Sequence, residues 1–271
     1  MTRILFIGDI VGTPALVYLE SHLPALIRQH NADFVVANAE NLDLTSGGCG
    51  MTPASLSRLF ATGDDLVTGG NHSWDAPDHS VHDDARVLRP LNHKQQMPGR
   101  GAGVVAKNGK RLGVINLVSR TAMPLVHEPL PALDTQLAEW AETNAVDMVM
   151  VDFHGESVME KMTLGFAVAG RVAAVVGTHT HVATCDARIL PPGTAYITDV
   201  GMTGPADGLQ GYDPVQFVDA MNRSDNPGPP KRMARGDIEF GAVLITVENG
   251  CALAIERCCA AELVAQAGGG E

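Results

Sequence analysis

Cysteine is scarce in this sequence, and the arrangement of its cysteines excludes two kinds of site. Five cysteines occur among 271 residues, an odd number, and no two have the C-x-x-C spacing. We therefore expect neither a disulfide framework nor a cysteine-ligated zinc site. The sequence also lacks an apolar run of about 18 residues, the length of a membrane span, and the apolar run in MTRILFIGDIVG is too short for a signal peptide. These absences predict a cytoplasmic protein that has no membrane partner.

Positive charge is also in deficit. Lys and Arg together number 19 against 31 Asp and Glu, which gives a formal net charge of −12. This balance argues against binding to long nucleic acid or to an anionic membrane, because both depend on basic residues that displace counterions. A small phosphate-bearing substrate is compatible with it if a bound metal ion supplies local positive charge.

Two common catalytic motifs are missing as well. The sequence has no G-x-S-x-G and no G-x-x-x-x-G-K-[ST], which argues against a serine hydrolase and a P-loop nucleotide-binding protein. The glycine-rich stretch at residues 99–103 precedes a predicted hairpin, so it is a weak signal for dinucleotide binding.

The sequence does contain an alternation of apolar strands and helices. The near-continuous apolar runs indicate strands that are covered on both faces of a sheet, and the pairs Thr13-Pro14 and Thr52-Pro53 fit a helix N-cap followed by proline. The predicted strands cover residues 3–9, 33–40, 64–71, 147–154 and 171–179, and the predicted helices cover residues 14–30, 52–63, 131–145 and 156–170.

Antiparallel strands are predicted where turn residues separate apolar runs. These turns are Asn108-Gly109, Pro191-Pro192-Gly193 and Asn249-Gly250, and residues 223–237 read as a loop. Mixed strands with flanking helices predict an α/β fold, a four-layer α/β/β/α sandwich of two mixed sheets. We expect one domain over residues 1–266 and a flexible tail over residues 267–271.

Side chains with oxygen or nitrogen lone pairs follow five of the predicted strands. Each alone has an ordinary explanation: Asp9 as a turn or cap residue, Asn71 as a turn residue, and His154 as a hydrogen-bonded core histidine. Because functional groups gather at strand ends in α/β sheets, we expect the whole set to converge. Its carboxylates, amides and histidines suit manganese, iron or zinc better than calcium. The set consists of Asp9, Glu40, Asn41, Asn71, His154, His179 and His181.

The order of the motifs resembles that of the calcineurin-like metallophosphoesterase superfamily. GD, NAEN, GNH, FHGE and GTHTHV occur in that order. The stretches GDIVGTP, SGGCGMT, NLVSRTAM, DFHGESVMEKM and YITDVGMTG are similar to those of its bacterial YmdB-like branch. The resemblance covers nearly the whole chain.

Two positions depart from the general superfamily pattern. The D-x-H motif is here Asp9-Ile10-Val11, and Glu40 stands where an aspartate usually bridges the metals. The YmdB-like branch shares both departures and uses the asparagine after the glutamate as a ligand, which implies Asn41 here. An amide oxygen favours iron or manganese over zinc.

The resemblance implies a binuclear metal site and a phosphodiesterase activity. Asp9, Glu40, Asn41 and His181 would hold one ion, and Glu40, Asn71, His154 and His179 the other, with Glu40 shared. A hydroxide between the ions would attack the phosphorus of a small phosphodiester, with cyclic nucleotides and particularly 2′,3′-cyclic ones as substrates. His72 would donate a proton to the leaving group. The resemblance also implies a homo-oligomer.

Several further residues have open interpretations. Thr13 contacts substrate phosphate or simply caps a helix, and Arg120 meets a phosphate or pairs with a carboxylate. Asp75 orients His72 or, as we favour, caps a helix. Cys49 is interpreted as a flexible loop residue, with a redox role as the alternative. His179 and His181, one residue apart, would point the same way from an extended segment.

Three further candidates could orient the ligand imidazoles. They are Asp152, Glu156 and Thr203.

Two other functions remain open from sequence. The same metals would serve a phosphomonoesterase or nucleotidase, because substrate choice depends on the surrounding loops. A nucleotide-responsive regulatory protein without turnover is the second alternative, and the complete ligand set together with His72 argues against it.

Overall fold

The computed structural model describes residues 1–45 and 48–258. The predicted tail at 267–271 and the predicted domain end at 266 lie outside these residues. The helices of the described part are α1 (Gly12–His30), α2 (Pro53–Ala61), α3 (Pro129–Thr143), α4 (Val158–Ala167) and α5 (Val215–Arg223), with a short 3-10 helix at His79–Asp83.

The strands of the described part are short, mostly three to nine residues. They are β1 (Thr2–Ile7), β2 (Asp9–Ile10), β3 (Phe34–Asn38), β4 (Asp43–Thr45), β5 (Gly48–Gly50), β6 (Leu66–Thr68), β7 (Ala102–Lys107), β8 (Lys110–Val118), β9 (Met148–His154), β10 (Ala174–Thr178), β11 (Arg188–Leu190), β12 (Thr194–Ile197), β13 (Met202–Pro205), β14 (Ile238–Phe240), β15 (Ala242–Glu248) and β16 (Cys251–Cys258).

Two mixed sheets pack against each other, with helices on both outer faces. The first sheet has the strand order β16-β15-β1-β3-β6, and the second has β11-β12-β10-β9-β8-β7. Apolar side chains of both sheets, among them Phe6, Phe34 and Met150, form one core between them. Helices α1 and α2 cover the other face of the first sheet, and α3 and α4 cover that of the second. The predicted four-layer α/β/β/α sandwich is therefore confirmed.

Parallel central strands align the strand ends that carry the predicted site. β1, β3 and β6 run parallel in the first sheet, and β8, β9, β10 and β12 run parallel in the second. All seven residues of β9 are buried, as expected for a strand that is covered on both faces. The antiparallel strands β15, β16, β7 and β11 lie toward the edges.

The predicted turns are confirmed. Asn108 and Gly109 join β7 to β8 with φ values of 51° and 73°, and Asn249 and Gly250 join β15 to β16 with φ values of 50° and 79°. Positive φ at both central residues is the geometry that favours Asn-Gly in a two-residue hairpin. The 191–193 turn connects β11 to β12, and residues 224–237 of the predicted 223–237 loop connect α5 to β14.

One of the two predicted helix caps is wrong. Thr52 caps α2 as predicted, because its hydroxyl accepts the Ser55 backbone N–H at 3.3 Å. Helix α1 instead begins at Gly12, so Thr13 lies inside the first turn and Val11 occupies the cap position without a side-chain bond. The Gly12 N–H donates to the Asn41 carbonyl at 2.9 Å. This contact between distant residues accounts for the earlier start.

Several small elements were not predicted. They are α5, the β4–β5 hairpin and the three-stranded sheet β14-β13-β2. The two-residue β2 pairs with β13, which is distant in sequence, so its strand character arises from a tertiary contact rather than from local pattern. Among the helices of residues 1–45 and 48–258, none has both the length and the apolar character that a bilayer crossing requires.

Asp64, just before β6, is expected to make stability depend on pH. Its carboxyl is buried, Oδ1 has no hydrogen-bond partner, and burial raises its pKa to about 7. Because the folded pKa exceeds the unfolded value, this carboxyl destabilises the fold as pH rises from about 4 to about 7. Asp64→Asn should increase the free energy of unfolding, by about 1–3 kcal/mol more at pH 8 than at pH 5.

Urea unfolding at the two pH values measures this difference. The exposed Asp219 in α5 provides a control, and Asp219→Asn should show the same small change at both pH values. An equal gain for Asp64→Asn at pH 5 and pH 8 would show that Asp64 is already ionised in the fold at pH 5.

Candidate metal centre

The fold brings the predicted ligand residues to one edge of the two sheets. Each follows or ends a strand of the parallel core. Asp9 lies just beyond β1, Glu40 and Asn41 follow β3, Asn71 and His72 follow β6, His154 ends β9, and His179 and His181 follow β10.

Three other predicted metal ligands lie close to one ring nitrogen of His154. His154 Nε2 lies 3.0 Å from Glu40 Oε1, 3.0 Å from Asn71 Oδ1 and 3.0 Å from His179 Nδ1. Ligands about 2.1 Å from one cation and at right angles to each other are about 3 Å apart. The spacing therefore fits a shared cation, and these four residues are the set predicted for the second ion.

The residues predicted for the first ion include two buried acceptors without partners. Among the described residues, Asp9 Oδ1 and Asn41 Oδ1 are both buried and neither receives a hydrogen bond. His181 Nε2 lies 3.9 Å from Asp9 Oδ1. Buried acceptors in native proteins are nearly always satisfied, so each of these two oxygens has room for a hydrogen-bond donor or a cation, as predicted for residues that hold the first ion.

Each histidine directs one ring nitrogen toward the centre because its other nitrogen has a partner. His154 Nδ1 lies 2.9 Å from the Thr178 hydroxyl, which donates to Asp152 Oδ1 at 2.7 Å. His181 Nδ1 lies 3.0 Å from the Gln210 carbonyl. With protons on these outer nitrogens, each ring would present its inner lone pair to a cation, as metal-ligating histidines require.

His179 and the remaining orienting candidates complete this pattern. His179 Nε2 lies 3.3 Å from Glu156 Oε2, which leaves its Nδ1 toward His154. Asp152 therefore acts on His154 through Thr178, and Glu156 contacts His179 directly. Thr203 contacts none of these rings: its hydroxyl donates to the Gly241 carbonyl at 3.5 Å, and its backbone pairs with β2.

Burial and proximity shift the pKa values of the group. Burial raises the pKa of the Asp9 carboxyl, although His181 and His154 oppose the shift. Burial disfavours the charged form of His154, but the Glu40 carboxylate outweighs it and raises the His154 pKa to about 9. Burial and the neighbouring His154 lower the pKa of His179 to about 3. Among the described residues that line the cleft, none is a lysine or an arginine, so the buried carboxylates of Asp9 and Glu40 favour a bound cation.

The two neighbouring histidines are presented by a tight bend. His179 has φ 101° and His181 has φ 63°, so the predicted extended segment is wrong. Left-handed backbone is unfavourable for residues other than glycine and persists where surrounding contacts fix it. Here Asp199 Oδ2 accepts the Thr180 N–H at 3.2 Å and the Thr180 hydroxyl at 2.8 Å, and Asp9 Oδ2 accepts the His179 N–H at 3.1 Å.

Lys161, in α4, neutralises the carboxylate that holds this bend, and neither residue was predicted. Lys161 Nζ lies 2.7 Å from Asp199 Oδ2, and both side chains are buried. Lys161→Met should lower the free energy of unfolding by about 3–5 kcal/mol, because it leaves a buried carboxylate unpaired. The double variant Lys161→Met/Asp199→Asn should recover most of this loss, as measured by urea unfolding.

A matched lysine separates this effect from the loss of any ion pair. Lys107 pairs with Asp65 at 2.9 Å but is 39% exposed, so Lys107→Met should cost at most about 1 kcal/mol. Equal costs at Lys107 and Lys161 would contradict the importance of the buried pair.

Gly70 has no side chain, and the side chains of Glu40 and His154 occupy the space that a Cβ at this position would fill. A Cβ at this position would lie 2.1 Å from Glu40 Oε2 and 2.4 Å from His154 Nε2. Any other residue here would displace one of these donors. The second glycine of GGNH is therefore explained by the close approach of Glu40 and His154.

His72 lies at the mouth of the centre and is supported from two sides. Its backbone N–H donates to Glu40 Oε2 at 3.0 Å, and its Nδ1 lies 2.7 Å from Asp75 Oδ2. Burial lowers the His72 pKa, but Asp75 and Glu40 outweigh burial and raise it. The favoured cap role of Asp75 is wrong, because Asp78 caps the 3-10 helix.

The centre opens into a cleft of about 250 Å³. Larger grooves, of about 420 and 490 Å³, lie over α2 and α3 and are lined by none of the predicted site residues. Besides predicted residues, the walls of the cleft include Cys49, Gln210, Tyr212, Phe217 and Pro230. The flexible-loop interpretation of Cys49 is wrong: its side chain is buried in β5 against Tyr212.

The two predicted substrate contacts do not line this cleft. Thr13 is exposed in the first turn of α1. Arg120 is exposed and pairs with Glu128 at 2.7 Å. The geometry therefore adds nothing to a substrate-binding role for either residue.

Comparison with known proteins places the chain among well-matched relatives. The sequence profile described as YmdB-like protein matches residues 5–258. A protein of Bacillus subtilis (strain 168) named 2′,3′-cyclic-nucleotide 2′-phosphodiesterase is 44% identical over 251 residues, which are 91% of this chain and 92% of the relative.

Two crystal structures share the fold. One is of a hypothetical protein from Thermus thermophilus, with a TM-score of 0.86 and 37% identity, covering 95% of this chain and 98% of the other. The second is of a novel phosphatase from Mycoplasma pneumoniae, with a TM-score of 0.85 and 27% identity, covering 95% of this chain and 92% of the other. The similarity thus extends through the strand ends that form the centre.

Proposed function

Because the chain belongs to the family of YmdB-like proteins, we propose that it is a metal-dependent phosphodiesterase that hydrolyses 2′,3′-cyclic nucleotides. The name of the Bacillus subtilis relative supports the substrate. The single observation that carries the chemistry is the convergence of Glu40 Oε1, Asn71 Oδ1 and His179 Nδ1 on His154 Nε2, each at 3.0 Å. Such a donor set suits a transition-metal ion.

We assign two cations to the centre. The unpartnered oxygens of Asp9 and Asn41 support a second ion beside the one at His154. Glu40 would be the shared ligand, Asp9, Asn41 and His181 would hold one ion with it, and Asn71, His154 and His179 would hold the other. Besides Glu40, three of the seven ligands would bind through oxygen, namely Asp9, Asn41 and Asn71. This share of oxygen ligands favours iron or manganese, with zinc as the third choice.

The chain's own groups supply orientation and a proton. The chemistry that the bound cations supply is a lowered water pKa and neutralisation of phosphoryl charge. His72 Nδ1 is held by Asp75 at 2.7 Å, which leaves Nε2 to hold the proton for the leaving 2′ oxygen as its bond to phosphorus breaks. A carboxylate behind the ring stabilises the protonated imidazole until transfer.

The cleft suits a small anionic substrate rather than a polymer. Its volume is about 250 Å³, and the chain's formal net charge is −12, which opposes binding of long nucleic acid. Tyr212, Phe217 and Pro230 form an apolar wall beside the centre. A nucleobase, which has two apolar faces, would fit against such a wall.

The test is a substrate panel on metal-stripped protein. Nucleoside 2′,3′-cyclic phosphates, 3′,5′-cyclic phosphates and monoesters are assayed after addition of manganese, iron or zinc, and bound metal is counted. We expect about two ions per chain and the highest kcat/KM with a 2′,3′-cyclic substrate.

Asn71→Ala, which should weaken one ion, shows whether the activity belongs to this protein or to a contaminant. Higher kcat/KM with monoesters would make the protein a nucleotidase. Two bound ions without turnover of any substrate would support the regulatory alternative.

Location in the cytoplasm and self-association form a separate part of the proposal. The first is supported by the odd number of cysteines without C-x-x-C pairs, and the second by the family resemblance. Sedimentation of the purified protein measures the second directly.

A further inference from the structure

The Asn41 carboxamide is the end of a buried hydrogen-bond chain. Asn41 Nδ2 donates to the Tyr212 hydroxyl at 3.3 Å, and the same hydroxyl lies 2.9 Å from Cys49 Sγ. Tyr212 is 6% exposed and Cys49 1%. All three residues line the cleft, so the chain forms part of its wall.

The two contacts of the Tyr212 hydroxyl relate its single proton to the orientation of the Asn41 amide. A phenol has one proton to donate. If that proton goes to Cys49 Sγ, the hydroxyl accepts from Asn41 Nδ2, and Oδ1 is left buried without a partner, as observed. If the proton went to Asn41 instead, the amide would turn, and its NH₂ group would face the cation site.

The backbone fixes Tyr212 where this choice matters. The N–H groups and carbonyls of Leu209 and Tyr212 pair with each other at 2.9 and 3.0 Å, and Tyr212 forms a further bridge to Met233. The ring is also part of a small apolar cluster with Val11, Cys49 and Met202. The phenol oxygen is therefore a fixed point against which the Asn41 side chain is set.

We propose that Tyr212, backed by Cys49, is a positioning residue that turns the Asn41 amide so that its oxygen faces one cation. The inference rests on the proposed function. This positioning explains how Asn41 can be a metal ligand although only the oxygen of its side-chain amide, and not the NH₂ group, binds a cation. An aspartate would not need this help, because both of its oxygens are equivalent.

The test compares Tyr212→Phe in two backgrounds by titrating metal-free protein with manganese. With Asn41 present, the affinity for one of the two ions should fall about 10–100-fold, as is typical when a group that orients a ligand is lost. In the Asn41→Asp background the same substitution should change affinity by less than about threefold, because the carboxylate presents an oxygen either way.

Two further variants keep the test decisive. Tyr196→Phe removes another buried tyrosine hydroxyl, one bonded to Thr198 at 3.0 Å, and should leave both affinities unchanged. Cys49→Ala removes the sulfur to which, in this proposal, the Tyr212 hydroxyl donates, and should weaken the binding of one ion about 3–10-fold, again only when Asn41 is present. If Tyr212→Phe does not fold, Cys49→Ala in the Asn41 and Asn41→Asp backgrounds gives the same comparison.

The outcomes separate the inference from the function on which it rests. Fewer than two ions on the unchanged protein would overturn the proposed function itself. Two ions on the unchanged protein with no loss in Tyr212→Phe, or with an equal loss in both backgrounds, would overturn the positioning role alone.

Discussion

Replacing Glu40 with glutamine is expected to remove at least one of the two proposed cations and to lower kcat/KM about 10³–10⁴-fold. Glu40 uses both oxygens: Oε1 lies 3.0 Å from His154 Nε2, and Oε2 accepts the His72 N–H at 3.0 Å. Glutamine keeps only one oxygen, so its NH₂ group must face either a backbone donor or a cation. Metal catalysis supplies several kcal/mol, and each 1.36 kcal/mol is tenfold in rate.

Metal content and kcat/KM for a 2′,3′-cyclic nucleotide measure the two effects together. Glu142→Gln is the matched control, because Glu142 is exposed on α3 and should change neither quantity by more than about twofold. Two tightly bound ions and near-normal turnover in Glu40→Gln would show that Glu40 is not the shared ligand.

The convergence of the residues at the candidate metal centre could be predicted because each follows or ends an apolar run. Asp9 comes two residues after β1, and His154 is the last residue of β9. The carboxyl ends of parallel strands lie at one edge of a sheet regardless of the loop conformations. A polar residue at the end of an apolar run is therefore enough to predict its place in the site. The four-layer fold could be predicted from the same alternation of strands and helices.

The shape of the histidine bend could not be predicted from local pattern. His179 and His181 both have positive φ, which neither residue prefers. The contacts that hold the bend come from Asp199 and Asp9, and Asp9 is 170 positions away in sequence. For Lys161, the sequence showed only a lysine within the helix predicted at residues 156–170.

The wall of the cleft was missed for a similar reason. The contacts that define it, from Tyr212 to Cys49 and to Asn41, join residues 163 and 171 positions apart. No spacing in the sequence relates these residues. The region around Tyr212 has no continuous apolar run, and α5 has only one buried residue, Ala220. Neither the spacing of apolar residues nor their number therefore identified Tyr212.

Replacing His72 with alanine is expected to preserve both cations and to lower hydrolysis of a 2′,3′-cyclic nucleotide about 10²–10⁴-fold. The bond between the residue-72 backbone N–H and Glu40 does not need the imidazole, so the metal centre should persist. The lost group is the proton source for an alkoxide, which is a poor leaving group. A nitrophenyl phosphodiester, whose leaving group departs without a proton, should lose less than about tenfold.

The difference between the two substrates is therefore the decisive quantity. His127→Ala removes an exposed histidine and should leave both rates within about twofold. Asp75→Asn should fall between the unchanged protein and His72→Ala, because it keeps an acceptor near Nδ1 but loses the charge that stabilises the protonated ring. Equal losses on both substrates would mean that His72 positions the phosphate instead of delivering a proton, since a positioning contact is needed whatever the leaving group is.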